Sequence, residues 1–351
     1  MKILYGINTN GQGHINRARI FIDKLQNDGH EVHILFVGKE PPAYAYELAP
    51  VSYYKFGPID IYNDHKLDYS KTFQVLLTNL GKMTKNRRDI LDVASKEDFD
   101  VIFTDFENMT SVIGRVLKKP TICIDHQHSA FHPSSEEAPA KPALKLGLKF
   151  GIRLMVPYYS HCFAIDFTEK IDRVDDFTLF PLIWKPEFDN YKITTSNHYL
   201  VYLARYDKDK MIKNLLAFPD DTFIIYGFNT EEVIKNIIFK KTSREEFLKD
   251  IVACKAIIAN AGFSLAWEAC LLNKMIWVIP HSNNYEQITN AYRLNKLDRA
   301  FVTDKLTENE IKYFLSHTEK QNYQPKVKLP IISPDVLMDQ VYSQIKFFQE
   351  K

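Results

Sequence analysis

Short apolar runs alternate with amphipathic segments along this chain, and the alternation occurs in two separate blocks. The segment after the first run keeps its apolar residues on one helical face and is followed by Gly29, which favours a helix end. Strand-like runs separated by helices predict a parallel sheet that is covered by helices. The runs of the first block cover residues 3–7, 32–37, 101–104, 121–124 and 162–165.

The second block restarts after a proline-containing stretch, and its runs cover residues 199–203, 223–226, 256–259 and 276–279. A chain of 351 residues is long enough for two α/β domains, each with its own core. Near the end, Ser333 followed by Pro334 predicts the start of a last helix, which we expect to pack back on the first domain. The predicted organisation is a domain over residues 1–180, a linker over 181–197, a second domain over 198–332 and a C-terminal helix over 333–351.

Charge and cysteine content restrict the class of protein. The 45 lysines and arginines nearly balance the 44 aspartates and glutamates, so a global field that would attract nucleic acid is missing. The four cysteines have no C-x-x-C spacing and lie in or beside apolar runs, which favours buried thiols in a reducing compartment. Neither a signal peptide nor an apolar stretch of about 18 residues is visible, so we expect a cytoplasmic protein.

A glycine-rich turn follows the first strand and ends in a histidine. Gly11 and Gly13 precede His14, but Asn16 occupies the third glycine position of the dinucleotide-binding motif, and a Gly-Lys-Ser/Thr phosphate loop is missing. At a helix start the dipole disfavours the imidazolium, so a neutral His14 could accept a proton as a general base. The alternative is that His14 only caps or packs.

Asp105 ends the run at residues 101–104, at the sheet edge where open α/β sheets bind ligands. A carboxylate at this edge could fix the tautomer of His14 and stabilise its protonated form. The alternative is that Asp105 caps the following helix.

The second block contains a strand at residues 256–259, a turn, and a helix that begins near Phe263. Backbone N–H groups at such a helix start can hold a diphosphate without a metal. Glu268 could accept hydrogen bonds from ribose hydroxyls, and Glu286 with Gln287 could hold hexose hydroxyls. Asn290 could belong to the same site or could simply cap or pack. Together, the order and spacing of these residues indicate a donor site.

These motifs resemble those of GT-B glycosyltransferases, and the chain is similar to the UDP-glycosyltransferase and lipid II N-acetylglucosaminyltransferase group. The likeness covers both halves of the chain, and the middle of each half matches only in pattern. The residues that carry it are Gly11, Gly13, His14, Arg17, Asp105, Ala261, Gly262, Phe263, Glu268, Pro280, Glu286, Gln287, Asn290 and Ala291.

The resemblance implies two Rossmann-like domains that face each other across a cleft, with the nucleotide sugar on the second domain and the acceptor on the first. It implies inverting transfer in which His14 removes the proton of the acceptor hydroxyl, Asp105 supports His14, and the nucleoside diphosphate leaves. The expected donor is a UDP-sugar, used as a co-substrate without a further cofactor. The expected acceptor is a glycan, a lipid-linked molecule or a small molecule, with a cell-envelope glycan as one example. The donor-binding set is Arg205, Asn260, Ala261, Gly262, Phe263, Ser264, Glu268, Glu286, Gln287 and Asn290, and the acceptor-side set is Gly11, Gly13, His126 and His128.

Three positions depart from the family pattern. Asn260 stands where related transferases often have histidine, and Leu265 stands where a hydroxyl residue often meets phosphate. Phosphate contacts are therefore expected from backbone amides and Ser264. Arg205 lies in a loop without the glycines of many relatives, so it could face the diphosphate or pair on the surface. We predict that no metal is used, because the D-x-D segments 98–100 and 207–209 both fall at turns.

Two further features concern the acceptor. His126, His128 and His132 follow the strand at residues 121–124, so we expect them to open into the cleft as a polar acceptor loop, while a metal site and a purely structural role remain alternatives. Lysines and an arginine recur every four residues within an apolar helix at 138–155, in the order Lys141, Lys145, Lys149 and Arg153. Such a helix can rest on anionic lipid at the inner membrane face, or its basic side chains can simply be solvated.

Two other functions fit the same architecture. A UDP-N-acetylglucosamine 2-epimerase would convert a UDP-sugar without an acceptor and would need additional carboxylates in the cleft. A nucleotide-sugar binding protein without catalysis would bind the donor, and substitution of His14 would change no activity.

Overall fold

The computed structural model describes the chain except for residues 59–61, 64–65, 140–141, 319–324, 326 and 351. Two large sheets dominate the structure, one of eight strands and one of seven. Two additional pairs of short strands accompany them. The predicted class, α/β with two separate sheets, is therefore observed.

The N-terminal sheet begins with a long parallel region. Its strands in spatial order are β3, β2, β1, β6, β7, β8, β10 and β9, of which only β9 is antiparallel to its neighbour. The strands in this domain are β1 Lys2–Asn8, β2 Glu31–Gly38, β3 Val51–Phe56, β4 Tyr62–Asn63, β5 Lys66–Leu67, β6 Val101–Asp105, β7 Thr121–Asp125, β8 His161–Ile165, β9 Asp172–Val174 and β10 Phe177–Phe180. The helices are α1 Gln12–Asn27, α2 Tyr69–Glu97, α3 Asn108–Leu117 and α4 Pro142–Met155, with 3-10 helices at Ala43–Leu48 and Gln127–Phe131.

The C-terminal sheet repeats the parallel pattern. Its spatial order is β14, β15, β13, β12, β16, β17 and β18, and β14 alone is antiparallel to its neighbour. After β11 Leu182–Ile183 and a 3-10 helix at Pro186–Asn190, the strands are β12 His198–Tyr202, β13 Thr222–Ile225, β14 Glu232–Ile234, β15 Ile237–Phe239, β16 Ala256–Ala259, β17 Met275–Val278, β18 Ala300–Val302 and β19 Ile331–Ile332. The helices are α5 Lys208–Leu215, α6 Arg244–Ala253, α7 Phe263–Leu271, α8 Tyr285–Lys296, α9 Glu308–Thr318 and α10 Pro334–Gln349.

Local features at helix ends follow the residues that the sequence provides. Gly29 follows α1 with a φ of +81°, a left-handed conformation that glycine adopts at little cost. Ser333 caps α10 by accepting a hydrogen bond from the Asp335 backbone N–H at 3.2 Å, and Pro334 occupies the first helical position.

The chain crosses between the two large sheets twice. β11 on the first crossing pairs in parallel with β19 on the second. After the second crossing, α10 packs against α1, and the Tyr342 hydroxyl donates a hydrogen bond to the Asp28 carboxylate at 2.6 Å. The end of the chain is thus held on the N-terminal domain.

Side chains from both domains meet across the cleft. The His126 ring stacks on the Phe263 ring with a centroid separation of 3.6 Å. Arg293 on α8 donates to both carboxylate oxygens of Asp166 at 2.7 Å, and both side chains are buried. Gly13 lies so close to α7 that an added Cβ would collide with the Ser264 side chain. These contacts hold the turn after β1 against the start of α7.

Candidate functional site

A cavity of about 530 Å³ lies between the two domains at the ends of β1, β12 and β16. Open α/β sheets bind ligands beyond the carboxyl ends of their strands, which is where this cavity lies. Its lining includes eleven of the residues singled out from the sequence, namely Gly11, Gly13, His14, Arg205, Asn260, Gly262, Phe263, Ser264, Glu268, Glu286 and Gln287.

His14 lies in the first turn of α1 and keeps part of its ring accessible, with 15% of the side chain exposed. Its Nδ1 lies 2.7 Å from Oδ1 of Asp105, which is fully buried at the end of β6. The ring also stacks nearly parallel on Phe106, at a centroid distance of 5.7 Å. A neutral ring that donates Nδ1–H to this carboxylate keeps Nε2 as its proton acceptor, the arrangement that a general base requires.

Arg17 completes this group, although the sequence suggested it only as part of a motif. Its Nε donates to Asp105 Oδ2 at 2.9 Å. Its NH2 donates to Asp105 Oδ1 and also lies 2.9 Å from His14 Nδ1. Burial lowers the pKa of Arg17, but the Asp105 carboxylate outweighs burial and raises that pKa above its usual range. Arg17 therefore remains a cation that fixes the Asp105 carboxylate. Its position three residues after His14 on one helical face was the available clue.

The backbone beside Asp105 is held in an uncommon conformation. Phe106 has a φ of +55°, and the Asn8 side chain donates to its carbonyl at 2.8 Å. A left-handed conformation is uncommon for a residue with a bulky side chain and persists only where its surroundings enforce it. Here the conformation places the Phe106 ring beneath His14.

Glu107, and not Asp105, caps α3. Its carboxylate accepts hydrogen bonds from the backbone N–H groups of Met109 at 2.6 Å and Thr110 at 3.0 Å. Burial raises the pKa of Glu107 to about 7. Asp105 therefore does not cap α3, and its carboxylate contacts His14 and Arg17 instead.

On the opposite wall, α7 begins beside the cavity. Gly262 is its N-cap and provides no side chain for the first N–H groups of the helix. Ser264, two residues after Gly262, lines the cavity. The Asn260 side chain is turned toward the sheet, where it donates to the Ile279 carbonyl at 3.0 Å. A helix start without a side-chain cap can bind an anion through its backbone N–H groups.

Glu268 has two cationic partners that the sequence did not predict. Its Oε1 accepts from Lys185 Nζ at 2.6 Å and from Arg244 NH2 at 2.9 Å. Burial would raise the pKa of Glu268, but the two cations outweigh it and lower that pKa. Arg244 also pairs with Glu187, so a network of charges connects the cavity with the segment between the domains.

Glu286 and Gln287 lie in the first turn of α8, whose N-cap is Asn284. The Gln287 side-chain oxygen accepts from the His281 backbone N–H at 2.9 Å, which orients it at the cavity wall. Arg205 lines the same cavity in a left-handed backbone conformation with a φ of +66°. These side chains provide polar and cationic groups on the C-terminal side.

Asn290 and His126 do not line the cavity and instead join the two domains. His126 Nε2 lies 3.0 Å from Asn290 Oδ1, and Asn290 Nδ2 donates to the Ala261 carbonyl at 3.1 Å. Ala261 is fully buried beneath the same turn. Of the expected acceptor loop, Gln127 is the residue that reaches the cavity.

His128 lies away from the cavity, contrary to the expectation that it opens into the cleft. The Asp125 carboxylate accepts from the His128 backbone N–H at 3.1 Å and contacts His128 Nδ1 at 2.6 Å. Asp125 therefore turns His128 back over the end of β7. Burial disfavours the charged ring, but Asp125 dominates and raises the pKa of His128 to about 10.

The two D-x-D segments serve as helix ends. Asp98 ends α2 and pairs with Lys119 at 2.8 Å, and Asp207 caps α5 by accepting from the Lys210 backbone N–H at 3.0 Å. Each of the two aspartates already has a structural partner.

Of the four basic residues that recur every four positions, Lys145, Lys149 and Arg153 lie on α4. Lys141 falls outside the described residues. Lys145 and Lys149 both pair with Glu137, and Arg153 lies over the Phe131 ring. α4 also exposes a row of large apolar side chains, since Leu146, Phe150 and Leu154 are exposed by 72%, 63% and 54%. Within the described part of the chain, the helices are too short or too polar to cross a membrane.

Solved structures with a similar fold cover nearly the whole chain. The spinosyn rhamnosyltransferase SpnG matches with a TM-score of 0.61 and 13% identity over 98% of this chain and all of its own. SnogD from Streptomyces nogalater matches with a TM-score of 0.59 and 14% identity over 98% of this chain and 99% of its own. The spinosyn forosaminyltransferase SpnP matches with a TM-score of 0.60 and 12% identity over 100% of this chain and 95% of its own. These are GT-B proteins, which confirms the predicted fold class.

No curated protein sequence matches the chain. A family model described as glycosyl transferase family 1 matches residues 1–318, which include both sheets and every residue that lines the cavity. This chain therefore belongs to glycosyl transferase family 1.

Proposed function

We propose that this glycosyltransferase transfers a sugar from a nucleoside diphosphate sugar to an acceptor hydroxyl, with inversion at the anomeric carbon and without a metal. The observation that carries the proposal is the contact of 2.7 Å between His14 and Asp105 at the wall of the cavity that α7 faces from the other domain. The base lies on one wall of the cavity and the anion-binding helix start on the other. This arrangement suits removal of the acceptor proton on one side and departure of the diphosphate on the other.

In the proposed reaction, Nε2 of His14 accepts the hydroxyl proton as the acceptor oxygen attacks the anomeric carbon. The bond between this carbon and the diphosphate oxygen breaks, and the diphosphate takes that electron pair. Asp105 stabilises the imidazolium that forms, and Arg17 keeps the carboxylate in place. General-base assistance of this kind typically contributes about 10²–10⁴-fold in rate.

The leaving diphosphate would be held by the N–H groups at the start of α7 and by Ser264. Arg205 and Arg244 add positive charge to the same cavity. These groups can neutralise a leaving diphosphate without a metal ion. Glu286 and Gln287, at the start of α8, would hold hydroxyls of the transferred sugar.

A UDP-sugar, whose base is a pyrimidine, is the donor that we favour. A structure of SpnG is complexed with thymidine diphosphate, which shows that this related fold binds a pyrimidine nucleoside diphosphate. In the present cavity, Tyr202, Tyr226 and Phe247 provide ring surfaces on the side of the second domain. Such surfaces suit the packing of a nucleoside.

For the acceptor, we propose a glycan or lipid-linked molecule presented at a membrane surface. The supporting feature is the apolar exposed row on α4, next to which Lys145, Lys149 and Arg153 supply positive charge. An amphipathic helix of this composition can lie at the surface of an anionic bilayer.

The proposal is tested first by thermal unfolding with UDP, dTDP, GDP, CDP and NAD. A ligand at 100 times its dissociation constant adds about 2.7 kcal/mol to the stability of a reversibly unfolding protein. Selective stabilisation by UDP is the expected result. Stabilisation by NAD alone, or by none of these nucleotides, would contradict the proposal.

A second experiment separates transfer from the other two functions. UDP-sugars are incubated with and without acceptors, and the products are identified by mass spectrometry and NMR. We expect sugar transfer only with an acceptor and with inverted configuration. Conversion of the UDP-sugar without an acceptor would indicate an epimerase, and binding without turnover would indicate a nucleotide-sugar binding protein.

The sugar subsite is tested with Glu286→Ala and Gln287→Ala. Both variants should weaken binding of the UDP-sugar and leave binding of UDP unchanged, because their side chains are assigned to the sugar. Asp209→Ala, on the exposed face of α5, is the matched control. Equal weakening of UDP and UDP-sugar binding would overturn the assignment of these two residues.

A further inference from the structure

Four side chains with metal-binding donor atoms converge inside the N-terminal domain, on the face of the sheet that α3 covers. Cys123 and Asp125 lie two residues apart on β7, so both point to the same face. Cys162 on β8 is the register neighbour of Cys123, and His128 reaches the group from the 3-10 helix at Gln127–Phe131. One ligand atom from each residue lies within 4.8 Å of the others, and all four residues are buried.

The separations already approach the edges of a tetrahedron around zinc. With zinc–sulfur bonds of about 2.3 Å and zinc–nitrogen or zinc–oxygen bonds of about 2.0–2.2 Å, neighbouring sulfur and nitrogen or oxygen atoms lie about 3.5–3.6 Å apart. Cys123 Sγ lies 3.7 Å from His128 Nδ1 and 3.6 Å from Asp125 Oδ2. Of these three separations, the contact of 2.6 Å between His128 and Asp125 must lengthen, to about 3.3 Å for these bond lengths. The Cys162 ligand atom lies within 4.8 Å of the other three.

An ion pair between His128 and Asp125 would explain two of the four side chains but not the two cysteines. The pair of His128 and Asp125 satisfies the imidazole and the carboxylate, but it does not require two thiols beside it. The neighbours that enclose the group are mainly apolar and aromatic, including Val156, Leu179 and Tyr159. A dry site with two sulfur donors, one nitrogen and one oxygen favours zinc over magnesium or calcium, which prefer oxygen donors.

We infer that Cys123, Asp125, His128 and Cys162 form a structural zinc site. Four protein ligands complete a tetrahedral shell, so the ion has no open position for a substrate. Binding converts the two thiols to thiolates and the histidine to its neutral form, and the released protons pass to solvent. The site does not line the transfer cavity, so it is independent of the proposed reaction and does not make that reaction metal-dependent.

The zinc ion would hold together β7, β8 and the segment that follows β7. That segment also makes contacts with the other domain, since His126 stacks on Phe263 and Ser129 lies 3.4 Å from Arg293 NH1. Fixing His128 to the sheet therefore restrains residues that hold the two domains together. The expected consequence is higher thermal stability of the loaded protein.

The site is tested on the full chain, freed of metal with a chelator and titrated with Co²⁺. Tetrahedral thiolate coordination should produce a near-ultraviolet sulfur-to-cobalt charge-transfer band and visible d–d bands, both lost when Zn²⁺ is added. Cys123→Ser and Cys162→Ser should each lower the charge-transfer intensity, because each removes one of the two thiolates, and the double variant should lose the band. Cys270→Ser, which removes a buried thiol in the other domain, should keep the full intensity.

If the Cys123 and Cys162 variants fail to fold, measurements on the wild-type protein test the zinc site. Metal analysis should find zinc in stoichiometric amount with the chain, and added zinc should raise the unfolding temperature of the metal-free protein. Absence of the cobalt bands after Co²⁺ is added to the metal-free wild-type protein would overturn the inference. Equal loss of the bands in Cys270→Ser would also overturn it, because the thiolates would then lie elsewhere.

Discussion

The rings of His126 and Phe263 stack face to face at 3.6 Å, although the two residues belong to different domains. Phe263 is the first residue of α7, the helix whose start is assigned to the diphosphate. His126 is itself held by the Ile165 carbonyl at 2.9 Å and by Asn290 at 3.0 Å. The N-terminal domain therefore takes part in positioning the helix that faces the donor.

His126→Ala should weaken donor binding although His126 lies outside the cavity. Loss of the stacked ring costs about 0.5–1.5 kcal/mol, which corresponds to roughly a threefold to tenfold rise in the dissociation constant of UDP if the cost falls on the bound state. Calorimetric titration measures this change. His30→Ala is the control, because His30 contacts the N-terminal residue and Tyr342 instead of the cleft. Unchanged affinity would show that α7 does not depend on His126.

His14→Gln should lower the rate of transfer by about 10²–10⁴-fold while UDP binding remains within a factor of two or three. Glutamine retains polarity but cannot accept the proton, so the loss falls on kcat. Single-turnover kinetics and calorimetry measure the two quantities separately. Retained transfer in His14→Gln would contradict the base assignment.

Asp105→Asn should reduce both activity and stability. The substitution leaves Arg17 buried without its carboxylate, and removal of one partner of a buried pair costs about 3–5 kcal/mol in unfolding free energy. Urea denaturation measures this loss. The double variant Arg17→Met with Asp105→Asn should regain part of the stability while remaining inactive. A double variant no more stable than Asp105→Asn would argue against a charge-pair origin of the loss.

Gly13→Ala should disturb the contact between the domains. The added methyl group would collide with the Ser264 side chain, and Ser264→Gly removes the atoms that it meets. We therefore expect a lower unfolding temperature for Gly13→Ala and partial recovery in the double variant. Gly11→Ala is the control, since its Cβ would enter open space. Equal effects of the two glycine substitutions would show that the collision is not the cause.

Glu107 predicts a pH dependence of stability that is independent of the reaction. Burial raises its pKa from 4.5 in the unfolded chain to about 7 in the folded protein. Between these values the folded state binds the additional proton, so stability falls as pH rises from 4.5 to 7, by about 1.4 kcal/mol per pH unit. Urea denaturation at a series of pH values should show a smaller decline in Glu107→Gln. Parallel curves for the two proteins would show that Glu107 does not titrate in this range.

The exposed apolar row on α4 predicts membrane binding. Replacement of Leu146, Phe150 and Leu154 by serine should reduce sedimentation of the protein with anionic vesicles and leave UDP binding unchanged. Val233→Ser on the exposed β14 is the control, because it removes a comparable exposed apolar group from the other domain. Equal sedimentation of wild type and the triple variant would exclude α4 as the contact.

The apolar runs and the turn residues between them predicted the central strands well. Each of these runs is apolar on both faces of the strand and is bounded by turn residues. β3, β9, β10, β14, β15 and β18 were not predicted. Four of them, β9, β14, β15 and β18, have three residues each, which is too few to show a period in the sequence. The turn after β1 and the start of α7 were placed at one cavity from motif order alone.

Side-chain partners were harder to predict than positions. Glu107 caps α3, a role that the sequence left open for Asp105. Glu268 accepts hydrogen bonds from Lys185 and Arg244, which were not predicted as its partners. Sequence spacing does not reveal such contacts, because Lys185 lies 83 residues from Glu268. The predicted direction of His128 was wrong for a similar reason, since the Asp125 carboxylate contacts Nδ1 of His128 and holds the ring away from the cleft.

The pairing of β11 with β19 has a mechanical consequence. The two connections between the domains run side by side in the same direction and are joined by backbone hydrogen bonds, so they bend as one ribbon. A ribbon bends more easily out of its plane than within it. Opening and closing about a single axis is thus the motion that the connections permit most easily. α10 follows directly from β19 and packs against α1, so it moves with the N-terminal domain. In the proposed reaction, such a joint would let the two domains separate and then bring His14 back to the same position against α7.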